Sequence, residues 1–259
     1  MTPTERHNRA TRRQAFGAAV EEYDKARPSY PGEAVDWSLG QPTDQLKVVE
    51  VGAGTGKLTR VLLDLGHDVI AVEPDGTMLE RLRNNLGHHP QLDTHLGTAE
   101  DLPVPDGTAD AVIAGQAFHW FEPGLALPEM ERVLVDDGTA AAIWNTRDDS
   151  ERWVAEMGRI LGESTSGGAT GRNVVDEVAF GSGFTAVESA QFRHTQHLNR
   201  HAVHALALSR SYTIGMRESE KEAMLTALDD LLRPNFTTDD EIRLPYIVEC
   251  FRALRLSRP

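Results

Sequence analysis

The chain has 259 residues, and 40 Asp and Glu against 26 Lys and Arg leave a formal charge of −14. That length suits one α/β domain with additions, while the acidic excess speaks against a broad nucleic-acid surface, which needs clustered Lys and Arg. No run of about eighteen apolar residues offers a membrane span, and Cys250 is the single cysteine, so no internal disulfide is available and a reducing, cytoplasmic setting is expected.

In chain order, Phe16, Val20 and Tyr23 recur at helical spacing and predict a helix over 13–24. It must stop near Arg27, because Pro28 disfavours a helical residue before it. Three acids and no apolar stretch follow Arg12-Arg13, so no export signal is expected. Arg27 to Pro31 reads as a stiff connector. Lys47–Val51, with three valines, is a predicted buried strand. Leu58, Val61, Leu62 and Leu65 then mark one face of a helix. Asp68–Glu73 is a second strand. Asp75 is placed to cap a helix carrying Met78, Leu79, Leu82 and Leu86. Leu92–Leu96, Ala109–Ala114 and Gly138–Trp144 are the third, fourth and fifth strands. A helix marked by Leu125, Met130, Val133 and Leu134 separates the last two. Such alternation predicts parallel strands with right-handed crossovers, a doubly wound α/β sheet.

After Asn145 the pattern changes. Trp153–Leu161 reads as a helix, and Gly162–Gly171, rich in Ser, Thr and Gly, as a loop or lid. Ala186–Leu198 reads as a strand, with Asn199 capping a helix through Leu208. Ser219 and Glu222 form a capping box before the amphipathic run Met224, Leu225, Leu228, Leu231 and Leu232. Glu241–Phe251 is the last predicted strand.

The segment Glu50-Val51-Gly52-Ala53-Gly54-Thr55-Gly56-Lys57 follows the first strand. Its glycines permit a tight turn and close approach of a ligand to the backbone, and the next helix offers its N-terminal N–H groups. A P-loop is excluded, because Val51 stands five residues before Gly56 and Leu58 replaces the required hydroxyl after Lys57. A dinucleotide fold shows Gly-x-Gly-x-x-Gly, whereas the spacing here is Gly-x-Gly-x-Gly. Glu73, 73 − 52 = 21 residues beyond Gly52, is placed to accept ribose hydroxyls in either a dinucleotide or S-adenosylmethionine. The latter has no pyrophosphate to cradle, but its ammonium and carboxylate need acceptors and donors near the turn. Gly97-Thr98-Ala99-Glu100-Asp101-Leu102-Pro103 follows the third strand, where a backbone N–H and one acid can read an adenine edge. Gln116-Ala117-Phe118-His119-Trp120-Phe121 follows the fourth, where open α/β sheets place their chemistry.

In this order and spacing, Glu50–Lys57, Glu73-Pro74-Asp75, Ala99–Pro103 and Gln116–Phe121 resemble the class I S-adenosylmethionine-dependent methyltransferases, over roughly residues 13–147. The Phe16…Tyr23…Arg27-Pro28-x-Tyr30-Pro31 entry resembles the helix that closes over the cofactor in many of them. The Ala-Phe-His-Trp-Phe segment is similar to a small-molecule subgroup that includes trans-aconitate methyltransferases. The resemblance implies a seven-stranded, mostly parallel, Rossmann-like sheet with a final antiparallel strand, for which Glu241–Phe251 is the candidate. It implies that Gly52, Ala53 and Gly54 line the methionine moiety, Glu73 the ribose, and Ala99 and Glu100 the adenine, with Met78 against the purine. Glu50, Pro74, Gln116, Tyr23 and Arg27 complete the implied cofactor site. Asp101, next to Glu100, is able to take its part.

Tyr30, Phe118, His119, Trp120, Trp144 and Asn145 are the candidate acceptor-pocket residues. Methyl transfer rests mainly on alignment, and an oxygen or acidic-carbon nucleophile also needs a base. His119 is the catalytic candidate for that role, since histidine titrates in the right range; packing at the pocket wall is its rival reading, as it is for the tryptophans. His194, His197, His201 and His204 share a face only on one continuous helix. The predicted strand and helix break separates them, so no metal is expected. The expected product is a small-molecule methyltransferase that releases S-adenosylhomocysteine, has no nucleic-acid or membrane partner, and is a monomer or homodimer. An RNA or protein methyltransferase, a non-catalytic S-adenosylmethionine-binding module and an NAD-dependent oxidoreductase are the alternatives. The expected organisation is an entry helix and connector over 1–31, a cofactor core over 32–147, and completion of the sheet with helices capping the acceptor pocket over 148–259.

Overall fold

The computed structural model describes residues 27–162, 179–209, 213–234, 236 and 241–257. The predicted helix over 13–24, with Tyr23, and most of the Gly162–Gly171 loop lie outside the described residues. The strands are β1 (Lys47–Val51), β2 (Asp68–Glu73), β3 (Leu92–Leu96), β4 (Ala109–Gly115), β5 (Leu134–Arg147), β6 (Glu188–Leu198) and β7 (Ile242–Leu254). They form one seven-stranded sheet in the order β3-β2-β1-β4-β5-β7-β6. The pairings β1–β2, β1–β4, β2–β3 and β4–β5 are parallel. The strand expected last is β7, and it sits between β5 and β6. The order in which successive strands are added reverses between β1 and β4, which opens a crevice at their carboxyl ends.

The chain divides into two compact units. The sheet unit comprises Ser29–Asn145, Val178–Phe192 and Val248–Pro259. Its helices are α1 (Gly32–Ser38), α2 (Lys57–Asp64), α3 (Gly76–Leu86) and α4 (Pro123–Val133). Val48, Val49, Val112, Ile113, Ala141 and Ile143 are all buried, as expected of parallel strands covered on both faces. Two apolar positions expected to face this core do not. Leu65 is the C-cap of α2 and is exposed, because the helix ends at Asp64 and Gly66, at φ +89°, turns the chain away. Leu125 is exposed as well; the buried stripe of α4 is Ala126, Met130 and Val133, and Leu134 already belongs to β5.

β5 is also longer at both ends than the predicted Gly138–Trp144. Its Asp136-Asp137-Gly138 is made of residue types that favour turns. The structure makes it an irregularity inside the strand: Ala109 pairs with Leu134, Ala111 with Thr139, and Asp137 takes φ +61° between them. Helix α1 has no counterpart in the sequence reading, since seven residues are too few to show a period.

The helical unit contains Thr146–Glu177 and Arg193–Ile247 among its segments. α5 (Arg152–Ile160), α6 (Arg200–Leu208) and α7 (Glu218–Leu232) bury Val154, Met157, Val203, Leu206, Leu228 and Leu232 in a core of their own. The Trp153 and Phe236 rings meet edge-on at 5.3 Å. Asn199 caps α6, its side chain accepting from the Ala202 N–H at 2.8 Å. The start of α7 differs from the expected Ser219/Glu222 box. Arg217 is the N-cap, and the Glu220 carboxylate accepts both its backbone N–H, at 2.8 Å, and its guanidinium, at 2.6 Å. Glu220 thus closes a capping box on the N-cap two residues before the expected one.

Candidate functional site at the carboxyl ends of the strands

The turn after β1 is built from backbone. Its Gly52 and Ala53 N–H groups donate to Val72 O of β2, at 2.8 and 3.1 Å. Gly52 has φ +76°, and a Cβ there would lie 2.6 Å from that of Ala117, so only glycine lets the turn meet the segment leaving β4. Gly54, at φ +57°, is the opposite case: a Cβ there would meet only the Met78 Sδ at 4.0 Å. The backbone is thus open above Gly54.

Two buried carboxylates flank this turn. Glu73, at the end of β2, accepts from the Gly54 N–H at 2.8 Å through Oε2 and from the Asp75 N–H at 2.9 Å through Oε1. Each carboxylate oxygen has a second lone pair, so a diol can be accepted beside these bonds. Glu50 of β1 accepts from the Thr59 hydroxyl of α2 at 2.6 Å. Its pKa is pushed up to about 8, mainly by burial and further by the Glu73 charge, against the pull of the Thr59 bond. At neutral pH Glu50 is therefore largely protonated. Nearby, the Thr55 hydroxyl is buried without a hydrogen-bond partner among the described residues, while Asn85 of α3 holds Thr55 O at 2.9 Å.

Asp75 caps α3 by accepting from the Thr77 and Met78 N–H groups, at 2.8 and 3.1 Å. That bond places buried Met78 in the first turn, with its Sδ 4.0 Å from where a Cβ on Gly54 would stand. The segment after β3 starts with the Gly97 N–H on Glu73 O at 3.2 Å. Ala99 is buried; Glu100 accepts the Glu122 N–H at the head of α4, at 2.9 Å; Asp101 is exposed.

At the end of β4, Gln116 sits at φ +55°, a left-handed conformation costly for a residue with a Cβ. Its side chain donates to Asn145 O at 2.8 Å, and the Asn145 amide donates to Ser29 O at 3.1 Å. These bonds tie together the exits of β4 and β5 and the connector before α1. Tyr30 is buried, with its hydroxyl 2.9 Å from where a Cβ on Gly115 would stand. Phe118–Trp120 forms one short 3-10 turn. His119 on it is exposed, packs on Trp120 at 4.9 Å, and has its Nδ1 3.5 Å from the Trp144 indole N–H, which orients the ring only weakly. Trp144 is buried and edge-on to Phe118 and Phe251, at 6.3 and 5.7 Å. It therefore packs among aromatic rings, with its N–H directed at His119.

The sheet unit thus brings together Glu50, Gly52, Ala53, Gly54, Glu73, Met78 and Ala99 around one turn, and Tyr30, Gln116, Phe118, His119, Trp120, Trp144 and Asn145 around a second. Arg27 falls in the other unit. Thr59 escaped the sequence reading although a signal was present: it shares the apolar face of α2 with Leu62 and Leu63, where a buried hydroxyl needs a partner. Three of the four histidines meet separate partners. His194 stacks on Tyr246 at 5.3 Å, and burial lowers its pKa. His197 meets Glu241 and His204 meets Asp229, each at 3.0 Å, and His201 is exposed. Among the described residues no group of His, Cys, Asp or Glu is placed to hold a metal ion, and no helix is long and apolar enough to cross a membrane.

Residues 49–142 match the model of a methyltransferase domain. An uncharacterized methyltransferase of Mycobacterium tuberculosis is 41% identical over 241 residues, covering 92% of this chain and 95% of the relative. An uncharacterized methyltransferase-like protein of Schizosaccharomyces pombe is 32% identical, covering 92% and 94%. Among solved structures, a putative type II methyltransferase from Anaeromyxobacter dehalogenans shares the fold with a TM-score of 0.65 at 19% identity, over 90% of this chain and 99% of that one. The chain belongs to the class I S-adenosylmethionine-dependent methyltransferases. S-adenosylmethionine is the cofactor, and the residues present fit it: an open backbone at Gly54, the buried Glu73 carboxylate able to accept hydroxyls, and the Met78 thioether beside that backbone.

Proposed function

We propose that this methyltransferase acts on a small-molecule acceptor, with the cofactor held along the carboxyl ends of β1, β2 and β3. Bound S-adenosylmethionine supplies an electrophilic methyl group on a sulfonium sulfur. The chain's own residues bind and align. Glu73 accepts the ribose hydroxyls, Gly52, Ala53 and Gly54 face the methionine moiety, and Met78 packs on the purine that Ala99 and Glu100 read. The observation that carries this reading is the Gly54–Glu73 bond at 2.8 Å, which locks the glycine turn to the ribose acceptor. Gln116 and Asn145 fix the wall beyond β4 and β5. There His119 is the candidate to take a proton from an acceptor that carries one, with Tyr30, Phe118 and Trp120 shaping the opening. The charge of −14 supports a small molecule over RNA.

Calorimetry with S-adenosylhomocysteine, followed by mass spectrometry of a panel of small acids, amines and phenols, tests the reading. Binding plus methyl gain on one small-molecule class is the expected result. Turnover of RNA or peptide alone overturns the acceptor class. Binding with no turnover anywhere favours a sensor of the cofactor.

A further inference from the structure

The segment from Gly97 to Asp106 contains no helix or named strand, yet it carries the atoms assigned above to adenine. Its shape is imposed from α4. At the head of that helix the Glu122 N–H donates to Glu100 Oε1 at 2.9 Å. Two turns on, Glu129 Oε2 accepts the Leu102 N–H at 2.9 Å. One turn further stands Arg132. Its Nε and Nη2 grip the Glu129 carboxylate at 2.7 Å each. Nη2 also donates to Leu102 O at 3.0 Å, and Nη1 to Val104 O at 2.8 Å and Asp106 Oδ1 at 2.7 Å. A guanidinium has five N–H donors in a fixed plane, and all five are used here. An ammonium has three donors and no plane, so lysine is unable to reproduce the set. Past Arg132 the ladder continues, with the Gly107 and Thr108 N–H groups on Arg132 O and Val133 O at 2.9 and 2.8 Å.

The other end of the segment is fixed to β2 by the Gly97 N–H on Glu73 O. Ala99 and Glu100 are therefore suspended between two anchors, the ribose acceptor's own strand and the Arg132–Glu129 pair. We infer that Arg132, held by Glu129, is a positioning residue that sets the adenine-reading backbone at a fixed place relative to Glu73 and thereby carries the preference for adenine over other purines. The inference rests on the proposed roles of Ala99 and Glu100. The rival is a clamp that contributes stability alone.

The two are separated by measuring, on the full chain, the affinities for S-adenosylhomocysteine and for its hypoxanthine counterpart, S-inosylhomocysteine, alongside thermal melting. The variants are R132K, E129Q and, as a control, R83K. Arg83 makes a comparable latch from α3 onto Thr94 of β3, at 2.8 and 3.2 Å, away from this segment. Wild-type protein is expected to prefer S-adenosylhomocysteine. R132K should lose about tenfold in that affinity, the scale of one good hydrogen bond, and most of the preference. E129Q should lose part of both, and serves if R132K does not fold. R83K should keep the preference. A lower melting temperature in R132K and E129Q with the preference intact overturns the inference while leaving the adenine reading standing. Equal wild-type affinity for the two ligands overturns the adenine reading itself, and the role of Arg132 falls with it.

Discussion

The two units spend their polar side chains differently. At the strand ends of the sheet unit, side chains bond to the backbone of neighbouring elements: Glu73 to Gly54, Gln116 to Asn145, Asn145 to Ser29, and Arg132 to Leu102 and Val104. In the helical unit many polar pairs run side chain to side chain on one helix: Arg159 with Glu156, Lys221 with Glu218, Arg233 with Asp230. Exposed pairs of that kind contribute little to stability, and the unit is held by its apolar interior. A bond from a side chain to a distant backbone group fixes where a turn stands, and a ligand site needs that.

Substitutions in the two regions should therefore fail in different ways. Leu228 of α7 is fully buried. Leu228→Ala should remove about 2–5 kcal/mol of stability in chemical denaturation, with the affinity of the folded protein for S-adenosylhomocysteine unchanged. Glu73→Gln should add a loss of binding. Bonds to a charged acceptor contribute about 1.5–3 kcal/mol each, so affinity should fall about a hundredfold by calorimetry, while the weakened bonds to the Gly54 and Asp75 N–H groups also lower the denaturation midpoint. Unchanged affinity in Glu73→Gln would erase the contrast.

Glu50 offers a pH test of the same boundary. Its folded pKa of about 8 stands above the ordinary 4.5, so the folded chain holds this proton more tightly than the unfolded chain. The stabilisation is complete below about 4.5 and is lost as pH rises towards 8, at up to about 1.4 kcal/mol per pH unit. Denaturation midpoints across that window should fall more steeply for wild type than for Glu50→Gln. The groups facing Glu50 are Thr59 and the Glu73 charge, so Glu73→Gln should flatten the slope in part. No comparable effect is expected from Glu220 or Glu241, exposed acids of the helical unit whose pKa values are lowered by their partners.

What the sequence discloses follows from the range of each interaction. Asp75 and Asn199 are legible as caps because the groups they satisfy are two or three residues away. The glycine turn and Glu73 are legible because each strand–turn–helix unit repeats a local pattern, with the turn after β1 and the acid at the end of β2. Arg132 is not, because its partners Leu102 and Val104 lie 30 and 28 residues back and nothing local announces them. The irregularity in β5 is hidden for a similar reason: Asp136-Asp137-Gly138 carries turn chemistry, and pairing to β4 on both sides overrides it. Glu220 closes a capping box on the Arg217 N–H, two residues before the expected one, and it is hidden because the N-cap is an arginine and not Ser or Thr.

The smallest effect gives the finest comparison, because one kind of bond occurs in both units. Asp75 caps α3 in the sheet unit and Asn199 caps α6 in the helical unit, each accepting at 2.8 Å from a backbone N–H. Replacing either by alanine should reduce stability by about 1 kcal/mol, seen as similar shifts in the denaturation midpoint. The two variants should part on binding. Asp75 also bonds the Met78 N–H at 3.1 Å, and Met78 lies beneath the open face of Gly54. With Met78 proposed to pack on the purine, loosening that first turn would weaken that contact. Asp75→Ala should therefore weaken S-adenosylhomocysteine binding by a few-fold on top of its stability cost, and Asn199→Ala should leave it unchanged. Equal affinities in the two variants would mean that the first turn of α3 is held by its packing, with Met78 and Leu82 already buried, and that the cap serves the fold alone.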